Sequence, residues 1–226
     1  MTQLSLIAFV IIAFPALSLG QTKKQSLNDF GKDEIYYYTG ISSSTAKFDY
    51  LQIAQRLETP VVNAVLNSVE ISRMMPYYQD VRIINFDVTT FKINIFNTDP
   101  ITNGPGKVIK TAEILIKDKR SRTITVNLDK YKIKIPGKSF FISIEFIRDK
   151  VNERLTPMTL DGNVEPLSVD LKPHQFIGSY QPYVGMSPIK GKQINTWALT
   201  QYNKWVIYDY FAPDYTDFAI SAVISY

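Results

Sequence analysis

The sequence predicts an all-β fold, an antiparallel β-sandwich with jelly-roll-like connections, and three observations carry that prediction. Short runs of β-branched and aromatic residues recur along the chain, several alternating apolar and polar positions as a half-buried strand requires. Clusters of Gly, Pro, Asn and Asp separate those runs. No stretch of twelve or more residues combines helical periodicity with capping residues. The content of 14 Tyr, 13 Phe and 2 Trp fits the same conclusion, because aromatic side chains favour strands.

Taken in order, Leu4 to Leu19 is an almost unbroken apolar run, followed by Gly20, Gln21 and the charged pair Lys23 and Lys24. Its length and the small residues Ser18 and Gly20 predict a secretory signal peptide, residues 1–20, cut before Gln21. A retained membrane anchor is the competing reading, but the run is short for a span of about 20 residues and contains Pro15. Export would place the protein outside the cytoplasm. The chain has no cysteine, which excludes disulfides, thiolate metal sites, cysteine nucleophiles and a lipoprotein anchor. Residues 21–45 read as a polar leader with a first strand over Glu34 to Thr39.

A single sandwich domain is expected over residues 46–226. Its strands are predicted at Leu51 to Leu57, Val61 to Ile71, Arg82 to Asp87, Phe91 to Phe96, Val108 to Ile116, Thr123 to Leu128 and Lys132 to Ile135. Phe140 to Ile147 follows, with Phe140, Ile142, Ile144 and Phe146 on one wholly apolar face, which is assigned to the core. Asp149 to Lys192 is rich in Pro and Gly and reads as long loops between short strands. Asn195 to Thr200, Lys204 to Tyr210 and Asp217 to Tyr226 complete the set. The formal charge of +4 is dispersed, and the cluster Lys117 to Arg122 reads as a solvated hairpin loop and not a nucleic-acid patch.

Four stretches carry a family likeness: Ile53 to Leu57; Phe91 to Phe96 with the Gly104-Pro105-Gly106 turn; Val126 to Pro136 followed by Phe140 to Phe146; and Thr216 to Ile220. Together they resemble uncharacterised secreted β-sandwich proteins and domains of Bacteroidetes-type bacteria, some appended to carboxypeptidase-like regulatory domains. The resemblance spans roughly Phe48 to Tyr226. It implies a periplasmic, outer-membrane-associated or extracellular β-sandwich and brings no catalytic or ligand residues with it.

Chemistry is sparse. The lone histidine, His174, cannot build a multi-histidine zinc site, and no Gly-x-Ser-x-Gly elbow accompanies it. Glu145 stands among apolar strand residues and is the best candidate for a glycosidase carboxylate, a role that needs a second carboxylate nearby. Pairing with a lysine or arginine of a neighbouring strand is the simpler expectation for Glu145, and Asp87 is read the same way. Asn97, Asp99 and Asn103 put oxygen ligands in one loop and make it a candidate calcium site, although Asx residues beside Pro and Gly are also ordinary turn formers. No other cofactor is expected.

The most distinctive chemical feature is the aromatic set near the C-terminus. Trp197, Tyr202, Trp205 and Tyr208 are the candidate ligand-binding residues, because exposed aromatic rings stack on sugars. Packing within the sandwich is the competing role for the same rings. The functional expectation is therefore a non-catalytic, envelope-associated binding module for a glycan or polypeptide. Its rivals are a structural accessory of an outer-membrane complex, a carboxylate-dependent glycoside hydrolase, and an outer-membrane barrel, whose strands Lys92, Lys132, Lys134 and Asp87 would interrupt.

Overall fold

A computed structural model describes residues 22–30, 34–35, 37–41, 49–73, 89–116, 122–157, 176–188 and 193–226. Strands β1 (Lys24–Leu27), β2 (Tyr37–Ile41), β3 (Tyr50–Glu58), β4 (Ala64–Ser72) and β5 (Thr89–Thr98) open the chain. Then come β6 (Pro105–Ile116), β7 (Thr123–Asn127), β8 (Ile133–Ile135), β9 (Ser139–Phe146) and β10 (Glu153–Pro157). The last are β11 (Phe176–Pro188), β12 (Thr196–Thr200), β13 (Trp205–Ile207), β14 (Tyr215–Phe218) and β15 (Ile220–Ser225). The protein is an all-β sandwich, and every pairing among these strands is antiparallel.

One layer is a six-stranded sheet of order β13-β12-β3-β9-β5-β6. A five-stranded sheet (β1-β15-β4-β7, with β8 also on β4) and a four-stranded sheet (β10-β11-β14, with β2 on β11) form the other layer. These two sheets are continuous at Ala219, between β14 and β15: its carbonyl accepts from Ser72 N–H at 2.9 Å and its N–H donates to Gly185 at 2.7 Å. The chain crosses between the layers after β2, β3, β4, β6, β8, β9, β11 and β13, the interlayer crossing expected of a jelly-roll-like sandwich.

The core lies between the layers. Phe140, Ile142, Ile144 and Phe146 of β9 meet Leu66, Val69 and Ile71 of β4 and Ile220, Ala222 and Ile224 of β15 in one buried cluster. The apolar face assigned to β9 from alternation is thus the core face. Gln55, on the core side of β3, is fully buried and ties the layers together. Its Nε2 donates to Asp217 Oδ1 at 2.7 Å, and its Oε1 accepts from Phe218 N–H at 2.7 Å. Buried polar atoms need such partners, since each orphan costs about 1–3 kcal/mol.

The structure departs from the sequence expectation in three places. Residues 24–27, expected in a polar leader, form β1 on the edge of β15, with Leu27 buried and Asn28 Nδ2 donating to Ile220 O at 3.0 Å. The Pro- and Gly-rich stretch contains the thirteen-residue β11, the central strand of its sheet. The strand expected from Lys204 to Tyr210 stops at Ile207. Asp87, His174, the apolar leader and residues 117–121 lie outside the described residues.

Candidate functional site

The side chains that alternate away from the core define the outer face of the six-stranded sheet. In β3 these are Gln52, Ala54, Arg56 and Glu58; in β9 they are Ser139, Phe141, Ser143 and Glu145; in β5 they include Lys92, Asn94 and Phe96. Register aligns them into rows. Gln52, Glu145 and Lys92 are direct cross-strand neighbours, and Glu113 of β6 extends the row. The next row runs Trp197, Ala54, Ser143, Asn94 and Thr111.

Aromatic residues build a second, smaller core on this outer face. Ala54, Phe96 and Phe141 are buried there, with half-buried Trp197 and Trp205 packed against them. Trp197 meets Phe141 edge-on at 6.1 Å between ring centroids, and Trp205 meets Phe96 edge-on at 5.5 Å. Phe96 lies on β5 and Trp205 on β13, with three strands between them, so the sheet curls and its outer face is concave. The β5–β6 hairpin closes in from one side: a Cβ at Gly104 would lie 2.7 Å from Cζ3 of Trp197, so any side chain there would have to displace the indole.

Beside the indoles the face is polar and internally bonded. Lys92 Nζ donates to Glu145 Oε1 at 2.8 Å, and Asn94 Nδ2 donates to Glu145 Oε2 at 2.9 Å. Ser143 Oγ donates to Gln52 Oε1 at 2.5 Å, and Thr111 Oγ1 donates to Asn94 Oδ1 at 2.6 Å. Asn94 and Ser143 are buried, whereas Glu145 and Lys92 keep 29 % and 36 % of their side-chain surface in solvent.

Partial burial pushes the Glu145 carboxyl up, but the hydrogen bonds from Lys92 and Asn94 and the charge of Lys92 outweigh it. The net position is below the ordinary carboxylate value. The hydrogen bond and charge of Glu145 hold the Lys92 ammonium above its ordinary value. Glu145 is therefore an ionised acceptor at neutral pH. A general acid needs the opposite shift, so this environment suits binding and not proton donation. The cross-strand lysine expected from the sequence as the simpler partner of Glu145 is Lys92.

The four aromatic candidates separate. Trp197 and Trp205 come together on the outer face. Tyr202 is 82 % exposed at the β12–β13 turn, where Asn203 adopts φ 56°. Tyr208 is a correction: it is only 2 % exposed, on the core side, with Phe218 at 5.4 Å and Tyr50 at 5.6 Å between centroids. The chain leaves β13 after Ile207, and Tyr208 turns into the gap between the layers, where Thr196 Oγ1 donates to its carbonyl at 2.7 Å. It cannot contact a ligand on the outer face.

The calcium candidates have local work. Asp99 Oδ1 accepts from the N–H groups of Ile101 and Thr102, both at 2.8 Å, and these bonds hold its carboxyl below the ordinary range. Asn97 Oδ1 accepts from Lys107 N–H at 2.5 Å, and Asn103 takes φ 58° to turn the loop. These oxygens shape the β5–β6 hairpin that covers Trp197. Among the described residues no group of three or more His, Asp or Glu could hold a metal ion.

A separate open cavity of about 560 Å³ lies where β1 meets the end of β3, lined in part by Leu27, Arg56, Glu58, Asn195 and Asp217. Its buried carboxylate is already engaged, since Asp217 Oδ1 accepts from both Gln55 and Asn195. The residues missed by sequence reasoning are Gln52, Lys92, Asn94, Ser143 and Thr111. Alternation places Lys92 with Asn94 and Ser143 with Glu145, but which strands are neighbours is not written in any one segment. No protein-family model, no curated protein and no solved structure matches the chain.

Proposed function

We propose that this protein is a non-catalytic binding module of the bacterial envelope and that the concave outer face of its six-stranded sheet takes a glycan. The observation that carries this reading is the juxtaposition, on one sheet face, of two half-buried indoles and a hydrogen-bonded polar cluster formed by Gln52, Glu145, Lys92 and Asn94. A sugar ring presents C–H faces that bury against aromatic carbon and hydroxyls that both donate and accept. The Lys92–Glu145 pair offers a charged donor and a charged acceptor side by side, and hydrogen bonds to charged groups are the stronger kind. Because the cluster is already ordered by its own bonds, little side-chain entropy is lost when a ligand arrives.

A glycan array with the purified protein tests the reading, alongside Trp205→Ala and Lys92→Ala. Specific binding is expected, weakened about tenfold or more in each variant, since lost aromatic or charged contacts cost about 1–3 kcal/mol. Near-ultraviolet circular dichroism checks that the variants stay folded. A blank array from a folded protein rejects the proposal.

One observation favours the structural accessory as a second reading. Strand β6 is a sheet edge, and its Val108 and Leu115 are 54 % and 51 % exposed. Exposed edges with apolar side chains attract a polypeptide partner. Crosslinking in envelope preparations through a residue of β6 distinguishes this reading, which needs a specific protein adduct.

A further inference from the structure

The charges on the proposed glycan face have an arrangement that selects among glycans. Lys92 is the one cation in the two rows beside the indoles, and it has carboxylates on both sides. Glu145 contacts it at 2.8 Å from β9, and Glu113 lies opposite it in register on β6. Both carboxylates act on the Lys92 ammonium. Arg56, beside Phe141 in the next row, has its charge offset by Glu58 at 3.4 Å, although its Nε makes no hydrogen bond. Lys110 of β6 is directed away, with its ammonium 4.7 Å from the centre of the Tyr131 ring. The two central rows therefore carry two carboxylates and one ammonium.

We infer that the ligand of this face is an uncharged glycan and that uronate- or sulfate-bearing glycans are excluded. The inference rests on the proposed glycan reading of the same surface. An anionic sugar needs an uncompensated cation, as bidentate arginines or free lysines supply elsewhere. Here it would have to displace Glu145 from Lys92 while facing Glu113, and like charges brought together at a binding face cost affinity. A neutral hydroxyl has no such conflict. It can donate to Glu145 and accept from Lys92 while their ion pair stays in place.

The test measures binding of the purified protein to immobilised neutral polysaccharides (a β-glucan, a mannan and a xylan) and anionic ones (polygalacturonate and chondroitin sulfate). Binding to at least one neutral polysaccharide is expected, with Kd changing by less than about twofold between roughly 0.05 and 0.5 M NaCl, because no net ionic attraction is there to be screened. Neither anionic polysaccharide is retained. Glu113→Lys, a surface change that leaves Lys92 with one carboxylate and adds a free cation, is expected to gain salt-sensitive binding to polygalacturonate. Retention of an anionic polysaccharide by the unaltered protein, lost about tenfold or more over that salt range, overturns the inference while leaving the glycan reading standing. Retention of neither class overturns both.

Discussion

Gly104 lacks a side chain at a point where Trp197 fills the space. The backbone there needs no unusual conformation, so the constraint is one of packing between a hairpin and an indole. Gly104→Ala is expected to cost about 1–3 kcal/mol, the usual range for overpacking, as measured by urea denaturation. An unchanged midpoint would mean that the hairpin does not rest on Trp197. Glu145 sets a second residue-scale expectation. Its folded pKa is depressed, so its contribution to stability is present above the unfolded value and is lost as pH falls through the folded one. Glu145 and Lys92 are each about a third exposed, which screens the pair to roughly 0.2–1 kcal/mol. Glu145→Gln should therefore be less stable than the parent at pH 7 by up to that amount, and the difference should narrow as the pH falls below the ordinary carboxylate range. A constant difference across that range would contradict the assigned pairing.

At the scale of elements, the legible strands were those whose alternation states their environment. Phe140, Ile142, Ile144 and Phe146 are apolar without exception, and all four are buried in the interlayer core. β1 was illegible because Lys-Gln-Ser-Leu has one apolar residue, and its strand character comes from pairing with β15 at the far end of the chain. β11 was hidden by its own Pro and Gly residues, which ordinarily mark turns. Gly185 is required there by close packing, since a Cβ would lie 2.7 Å from Ile35 Cγ2. Tyr208 was grouped with the tryptophans by residue type, although its odd spacing from Trp205 puts it on the opposite face, in the interlayer core. The docking of β1 makes a sharp expectation. Leu27→Ala is expected to destabilise by about 2 kcal/mol, the low end for a buried leucine, because one side of β1 is a sheet edge. Deleting residues through Leu27 should leave β15 as a bare edge and promote association between copies, read by light scattering. A monomeric deletion variant of full stability would mean that β1 contributes nothing to the sandwich.

For the whole molecule, the sandwich divides its two sheet faces between different tasks. The inner face of the six-stranded sheet is a largely apolar surface packed on the opposite layer, with the Gln55–Asp217–Phe218 link as one polar tie. The outer face curls and carries its own aromatic cluster beside a polar row, which is where the glycan reading rests. The tryptophans were visible in the sequence, but their polar companions come from β3, β5, β6 and β9, and only the strand order brings those together. The chain contains 2 Trp, both on this face, so the most direct measurement is a titration of the uniformly ¹⁵N-labelled protein followed through its indole N–H signals. With a neutral oligosaccharide drawn from the polysaccharide that binds best, both indole signals should move along one saturable curve with the same Kd. A glycan that binds while both indole signals stay fixed would place its site elsewhere and contradict the account.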